Sequence, residues 1–235
     1  KFNKNPNGWF LVLTFTNTNS ELQRAVSYHQ LGQLDQAENI YWKILENDPQ
    51  HVDALHLLGL VTYQSGRAEI AINLIKKAIS LSPESSNLLC NLGDIFRALG
   101  RFEESIQVYQ RAMVVGSKSA EIYNAIGLTF KDSGKTEEAI QAYQKAIRID
   151  PDYVEAYNNL GNSFKADRQF KEALQAFQQA LKLNPNIAEI HNSYGNILYG
   201  LNKLEEAIQA YQHAIRINPK HSQTYSDIGV SFAGL

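Results

Sequence analysis

The stretch Val154–Ile187 reads VEAYNNLGNSFKADRQFKEALQAFQQALKLNPNI, and the same pattern recurs on both sides of it. Pro151, Pro185 and Pro219 stand 34 residues apart. Pro49 and Pro83 keep the interval, and Ser117 fills the one slot between Pro83 and Pro151 that lacks proline. Repetition at such an interval marks an array of units, each unable to bury its apolar face alone. With Val154 as place 1, six complete units follow: 18–51, 52–85, 86–119, 120–153, 154–187 and 188–221. Residues 222–235 form the first half of a seventh, and residues 1–17 form an arm outside the repeat.

Within the quoted unit Tyr157, Leu160, Gly161 and Phe164 recur at helical spacing. A polar break follows, and Phe170, Ala173, Phe177 and Ala180 then recur in the same way. The spacing predicts a helix, a turn and a second, antiparallel helix. Gly59, Gly93, Gly127, Gly161, Gly195 and Gly229 fall in the middle of the first helix. Each costs about 1 kcal/mol there relative to Ala, and the repetition implies that a side chain does not fit. Tyr109, Tyr143, Phe177 and Tyr211 are placed to fill the space. Asp48, Ser82, Asp150, Asn184 and Asn218 precede the prolines and are predicted to leave helical geometry. In the third unit Gly116 is expected to end the helix in a left-handed conformation instead. Gly32, Gly66, Gly100 and Gly134 mark the turns, and Arg168 and Asn202 replace them in the fifth and sixth units.

Small or Trp-like place 4, Leu or Ile at 7, Gly at 8, aromatic at 11, Ala at 20, aromatic at 24, Ala at 27 and Pro at 32 together resemble the tetratricopeptide repeat. The resemblance runs from Thr18 to Leu235. It implies an all-α fold, a right-handed superhelix of antiparallel helix pairs with a concave groove. His51–Arg67, HVDALHLLGLVTYQSGR, is similar to early repeats of bacterial proteins in which such arrays precede a glycosyltransferase domain of the O-GlcNAc transferase type. Chaperone-binding arrays of the family place Lys at place 5 and at place 2, and no unit here has Lys or Arg at either.

Composition narrows the function. A formal charge of −2 argues against nucleic acid as the main partner, which favours a basic stripe. One cysteine, Cys90, excludes an internal disulfide and a cysteine-rich metal site. No apolar run approaches the roughly 20 residues that span a bilayer. No phosphate-cradling loop and no i, i+4 histidine pair occurs, so neither cofactor nor metal is expected, nor catalysis. The chain starts at Lys1 and is expected to be a fragment or a processed product. Trp9–Thr16 favours an extended conformation.

At 100° per residue, places 2, 5, 9, 12 and 13 of the first helix lie opposite the packed side, and in the family this side lines the groove. Place 5 is His56, Cys90, Asn124, Asn158 and Asn192 in successive units. Place 9 gives Asp94, Leu128, Asn162 and Asn196; place 12 gives Tyr63, Arg97, Lys131, Lys165 and Tyr199. An amide carries donors and an acceptor, so a row of them suits the backbone of an extended peptide. Asn ladders of this kind bind peptide backbone in arrays like that of O-GlcNAc transferase. The expected function is therefore a non-catalytic scaffold holding a protein or peptide partner, with Arg97, Lys131 and Lys165 supplying charge and Tyr63 and Tyr199 apolar walls. Two alternatives stand beside it. One is the substrate-recruiting arm of a larger glycosyltransferase-like enzyme. The other is a scaffold that self-associates through the N-terminal arm or the half-unit at 222–235.

Overall fold

The computed structural model describes residues 20–116, 119–220 and 224–228, and the backbone of two short strands. These strands, β1 (Asn3–Lys4) and β2 (Phe10–Leu11), pair antiparallel with Asn3 opposite Leu11. The extended conformation expected of residues 9–16 is thus met at Phe10–Leu11, and the rest of that stretch lies outside the described residues.

The chain forms two compact units, Lys1–Lys118 and Ser119–Leu235. The first contains α1 (Ser20–Gln30), α2 (Leu34–Asn47), α3 (Val52–Gln64), α4 (Ala68–Leu81), α5 (Ser86–Ala98) and α6 (Phe102–Val115). The second contains α7 (Ala120–Asp132), α8 (Thr136–Ile149), α9 (Val154–Ala166), α10 (Phe170–Leu183), α11 (Ala188–Gly200) and α12 (Leu204–Ile217), and residues 224–228 are helical. Within each unit every odd-numbered helix packs on the even-numbered helix after it, which in turn packs on the next pair. The fold is an all-α array of helix pairs.

The packing explains the mid-helix glycines. A Cβ built on Gly161 would stand 2.7 Å from Cε1 of Phe177, and one on Gly127 2.5 Å from Cε1 of Tyr143. Gly93 meets Tyr109 and Gly195 meets Tyr211 in the same way, whereas Gly59 meets Ile75. These rings are buried, Phe177 and Tyr143 completely. The helix-propensity cost of each glycine is therefore offset by a ring seated against bare backbone. Gly229 lies outside the described residues.

The turns between paired helices share one device. Gly32, Gly66, Gly100 and Gly134 have φ between 72° and 81°, and Arg168 and Asn202 adopt φ 59° in their place. The following amide then bonds the carbonyl five residues back, as Arg67 does to Thr62 and Gln169 to Phe164, both at 2.9 Å. This closes the helix end in a Schellman motif. The pre-proline residues are extended: Asp48 has φ −135° and Asn184 has φ −141°. Their carboxylate or amide oxygens also accept a backbone N–H two residues on, Gln50 to Asp48 at 3.1 Å and Asn186 to Asn184 at 3.0 Å. Asp and Asn recur at this place because they close such a turn with their own side chains.

Gly116 departs from the left-handed conformation expected of it. Its φ of −103° and ψ of −165° are extended. A Cβ there would meet Cβ of Ser86 at 2.8 Å, so glycine is required by the close approach of α5 and not by handedness.

Candidate functional site

The candidate site residues lie on the first helix of each pair, and burial sorts them. In the second unit Glu121, Glu155 and Glu189 are exposed in the first turns of α7, α9 and α11, where the helix dipole favours carboxylates. Lys131 is exposed and Lys165 half-buried in the last turns of α7 and α9. Asn124 and Asn192 are 8% exposed, while Asn158, Asn162 and Asn196 are half-buried. Tyr199 is 38% exposed.

The five asparagines differ in how much hydrogen-bonding capacity they retain. Asn124 is committed to joining repeats. Its Oδ1 accepts Nδ2 of Asn159 on α9 at 2.9 Å, and its own Nδ2 donates to the Tyr153 hydroxyl at 3.4 Å. Asn196 gives its Oδ1 to the Tyr211 hydroxyl at 2.8 Å and keeps its amide hydrogens. The equivalent partner is missing in the repeat before, where Phe177 stands in place of a tyrosine. Asn162 therefore donates to Oδ1 of Asn158 at 3.3 Å, and its own Oδ1 accepts nothing. Asn158 retains its amide hydrogens. Asn192 is the extreme case: its Oδ1 is buried and has no partner among the described residues. A buried acceptor left unpaired costs about 1–3 kcal/mol, so it is a place where an incoming N–H would be favoured.

The first unit uses the same places differently. His56 accepts or donates at Nε2 with Nδ2 of Asn91, 2.7 Å away on α5. An amide nitrogen only donates, so His56 Nε2 is the acceptor and the ring is neutral with its proton on Nδ1. His29, buried on α1, contacts Oε1 of Gln64 through Nε2 at 3.1 Å. Asp94 accepts the Tyr109 hydroxyl at 2.7 Å. Burial pushes the Asp94 carboxyl up, partly countered by that hydroxyl and by Arg97. Burial also pushes His56 down to about 4, with the neighbouring His29 adding to the effect. Tyr63, Cys90 and Arg97 are half-buried.

The sequence missed Asn159, Asn91, Gln64 and Tyr153 as parts of these networks. For Asn91 and Asn159 a signal exists at place 6 of the next unit. Leu57 follows Leu22 there, Asn91 follows His56 and Asn159 follows Asn124, so the two places match in polarity. His191 stacks on His213 with ring centroids 5.3 Å apart and bonds the Pro185 carbonyl at 2.9 Å. No group of three or more potential metal-ligating side chains occurs among the described residues, and no helix there is long and apolar enough to cross a membrane.

Helix pairs closed by a left-handed turn, a bare glycine under a ring and a regular interval define a repeat protein of the helix-turn-helix class. The chain belongs to the tetratricopeptide repeat family. Family models described as TPR repeat match residues 93–134 and 129–167, and one described as tetratricopeptide repeat matches 158–222. A model of anaphase-promoting complex, cyclosome, subunit 3 matches 30–112. No curated protein sequence matches the chain significantly. Among solved structures, MamA is 27% identical with a TM-score of 0.62, covering 72% of this chain and 97% of its own. PilF of Pseudomonas aeruginosa is 18% identical with a TM-score of 0.72, covering 92% of this chain and 96% of its own. YrrB, described as a TPR protein with an unusual peptide-binding site, is 17% identical with a TM-score of 0.59, covering 79% of this chain and 96% of its own.

Proposed function

We infer that the chain is a protein-interaction scaffold whose first-helix face in the second unit holds an extended peptide by its backbone. The tetratricopeptide repeat fold serves protein–protein interaction, and YrrB carries a peptide-binding site on it. The observation that carries the reading is the buried, unpaired Oδ1 of Asn192, flanked in register by the spare amide hydrogens of Asn158 and Asn196 and the spare Oδ1 of Asn162. The face then offers both donors and acceptors, as the C=O and N–H groups of an extended strand require. Asn124 holds α7 to α9 behind that row. Lys131 and Lys165 offer charge to acidic groups of the peptide, and Tyr199 offers an apolar wall. On the first unit, His56, Tyr63, Asp94 and Arg97 occupy the same places.

The test is a pull-down from source lysate with the wild-type chain beside a variant carrying Asn158→Ala, Asn162→Ala and Asn192→Ala. Three hydrogen bonds at about 1 kcal/mol each predict a loss of roughly a hundredfold in affinity. A partner captured by the wild type is expected to be lost by the variant, with both proteins melting alike. Equal recovery by both would remove the asparagine face from the reading.

A further inference from the structure

The second helices carry a feature that the asparagine face does not explain. In the first unit α4, α5 and α6 enclose a cleft of about 540 Å³. Leu89, Leu92 and Phe96 of α5 form its floor, and α4 and α6 form its walls. In the second unit α8, α9 and α10 enclose a cleft of about 590 Å³ in the same register, with Tyr157, Leu160 and Phe164 as the floor. The volumes and the apolar floors are alike, and the walls are not. Lys76 of the first cleft is replaced by Gln144 in the second, and Arg111 by Gln179, while Glu104 is kept as Glu172. At the turn beside each cleft Arg101 is replaced by Gln169.

The charges of the first cleft are unbalanced. Arg101 lies over Phe96, with Cζ 4.5 Å from the ring centroid, and Lys76 Nζ stands 5.8 Å from the same centroid. Together they leave Phe96 only 2% exposed. Arg101 is neutralised: Nε and a terminal nitrogen each bond Glu104 at 2.5 Å, and Glu69 is 3.2 Å away. Glu104 is thereby engaged. Lys76 and Arg111 have no carboxylate within ion-pair distance among the described residues. Two cations outside any ion pair thus face one cleft from opposite walls, with Glu104, already bonded to Arg101, as the one carboxylate in its lining, an arrangement that favours an entering anion. Pro83, exposed, and Val108, half-buried, supply apolar surface between them.

We propose that the cleft between α4, α5 and α6 is a second peptide site, separate from the asparagine face, and that it takes an acidic segment whose carboxylates meet Lys76 and Arg111 while an apolar side chain rests on Pro83 and Val108. The cleft of the second unit, lined by Glu172 and no cation, does not share this selectivity. The chain therefore grips partners by backbone on one face and by acidic side chains on another.

The experiment is fluorescence anisotropy on the full chain with a labelled peptide that alternates leucine and phenylalanine with aspartate and glutamate. In a chain whose asparagine face is silenced by Asn158→Ala, Asn162→Ala and Asn192→Ala, one peptide is expected to bind, more weakly as salt is raised. Lys76→Gln with Arg111→Gln gives the first cleft the wall of the second, and is expected to weaken binding about tenfold. The reverse exchange, Gln144→Lys with Gln179→Arg, is expected to raise the stoichiometry from one peptide to two. All of these exchanges are made on that background, so binding to the asparagine face does not enter the count. All four altered glutamines and cations lie on the rim, so melting curves are expected to stay in place. The proposal is overturned by no binding to the chain with its asparagine face silenced, by unchanged binding when Lys76→Gln and Arg111→Gln are added to it, or by equal binding of a peptide with asparagine and glutamine in place of the acids. Tighter binding of single-stranded RNA than of the peptide would also overturn it, since the rim would then be a general polyanion site.

Discussion

The first-helix faces of the two units share places, yet the first unit carries His29 and His56 among mixed residues and the second a row of asparagines. In the first, His29 and His56 are held by Gln64 and Asn91 of the following helix pairs. In the second, Asn158, Asn162, Asn192 and Asn196 retain donors or acceptors beyond the bonds they make. Imidazoles locked between repeats tie the first face to its protonation state. Amides do not titrate, so the second face presents the same surface at any ordinary pH. The first unit thus carries pH-dependent joints between its repeats, and the second carries amides with hydrogen-bonding capacity to spare, without a change of fold.

That contrast can be broken at its framework before its side chains are touched. Gly161→Ala forces a Cβ against the ring edge of fully buried Phe177, and overpacking of this kind costs about 1–3 kcal/mol. The helix-propensity gain of about 1 kcal/mol offsets part of it. Gly59→Ala meets Ile75, whose chain can change rotamer where a ring cannot, so it is expected to destabilise less. Urea denaturation of the two variants checks the order, and a larger loss for Gly59→Ala would break the comparison.

Acid is expected to act on the first unit next. The folded-state pKa of His56 is pushed down to about 4, below the ordinary value of 6.5, mainly by burial. His29 is lowered for the same reason. Between those values the unfolded chain binds more protons than the folded one, so stability rises with pH there. The contribution is complete above about pH 6.5 and is lost as pH falls toward 4. Thermal melts at pH 7.5 and 5 are expected to show a drop of several degrees that His56→Gln reduces. Histidine resonances followed by NMR assign the shift to the first unit.

Smaller effects come from the turns. The first unit has glycine at each of its turns, Gly32, Gly66 and Gly100, whereas the second has Gly134, Arg168 and Asn202. Arg168 is held at φ 59°, a conformation that costs a side chain about 1 kcal/mol. Arg168→Gly is therefore expected to raise stability by roughly 0.5 kcal/mol after the added freedom of the unfolded chain is subtracted. Asn202→Gly should change stability least, because asparagine tolerates this region. Melting temperatures of the two variants rank them.

The fold was legible because its determinants are local or periodic. Gly161 with Phe177, the pre-proline Asp48 and the turn glycines each act within one repeat, and the interval repeats them. Gly116 was misread because its cause, the neighbouring Ser86 at the start of α5, is a contact between distant residues. The site was legible as a face but not in its accounts. Helical spacing places Asn124 beside Asn158 and Asn192 in register, yet only the packing of α9 on α7 reveals that Asn159 takes the Asn124 oxygen. Likewise the freedom of Asn162 depends on Phe177 lacking the hydroxyl that Tyr211 gives to Asn196. The basic cleft escaped notice because Lys76 and Arg111 sit on second helices, where a charge reads as ordinary solvated surface until its neighbours are known.

The central claim, that the asparagine face of the second unit is the working surface, is tested most directly by photo-crosslinking. A benzophenone amino acid placed at Tyr199, on that face, is compared with one at Phe170, which is exposed at the start of α10. The account predicts that a partner crosslinks at Tyr199 and not at Phe170, and that Asn158→Ala, Asn162→Ala and Asn192→Ala abolish the product. Crosslinking at Phe170 alone, or a Tyr199 product that survives the three substitutions, would contradict it.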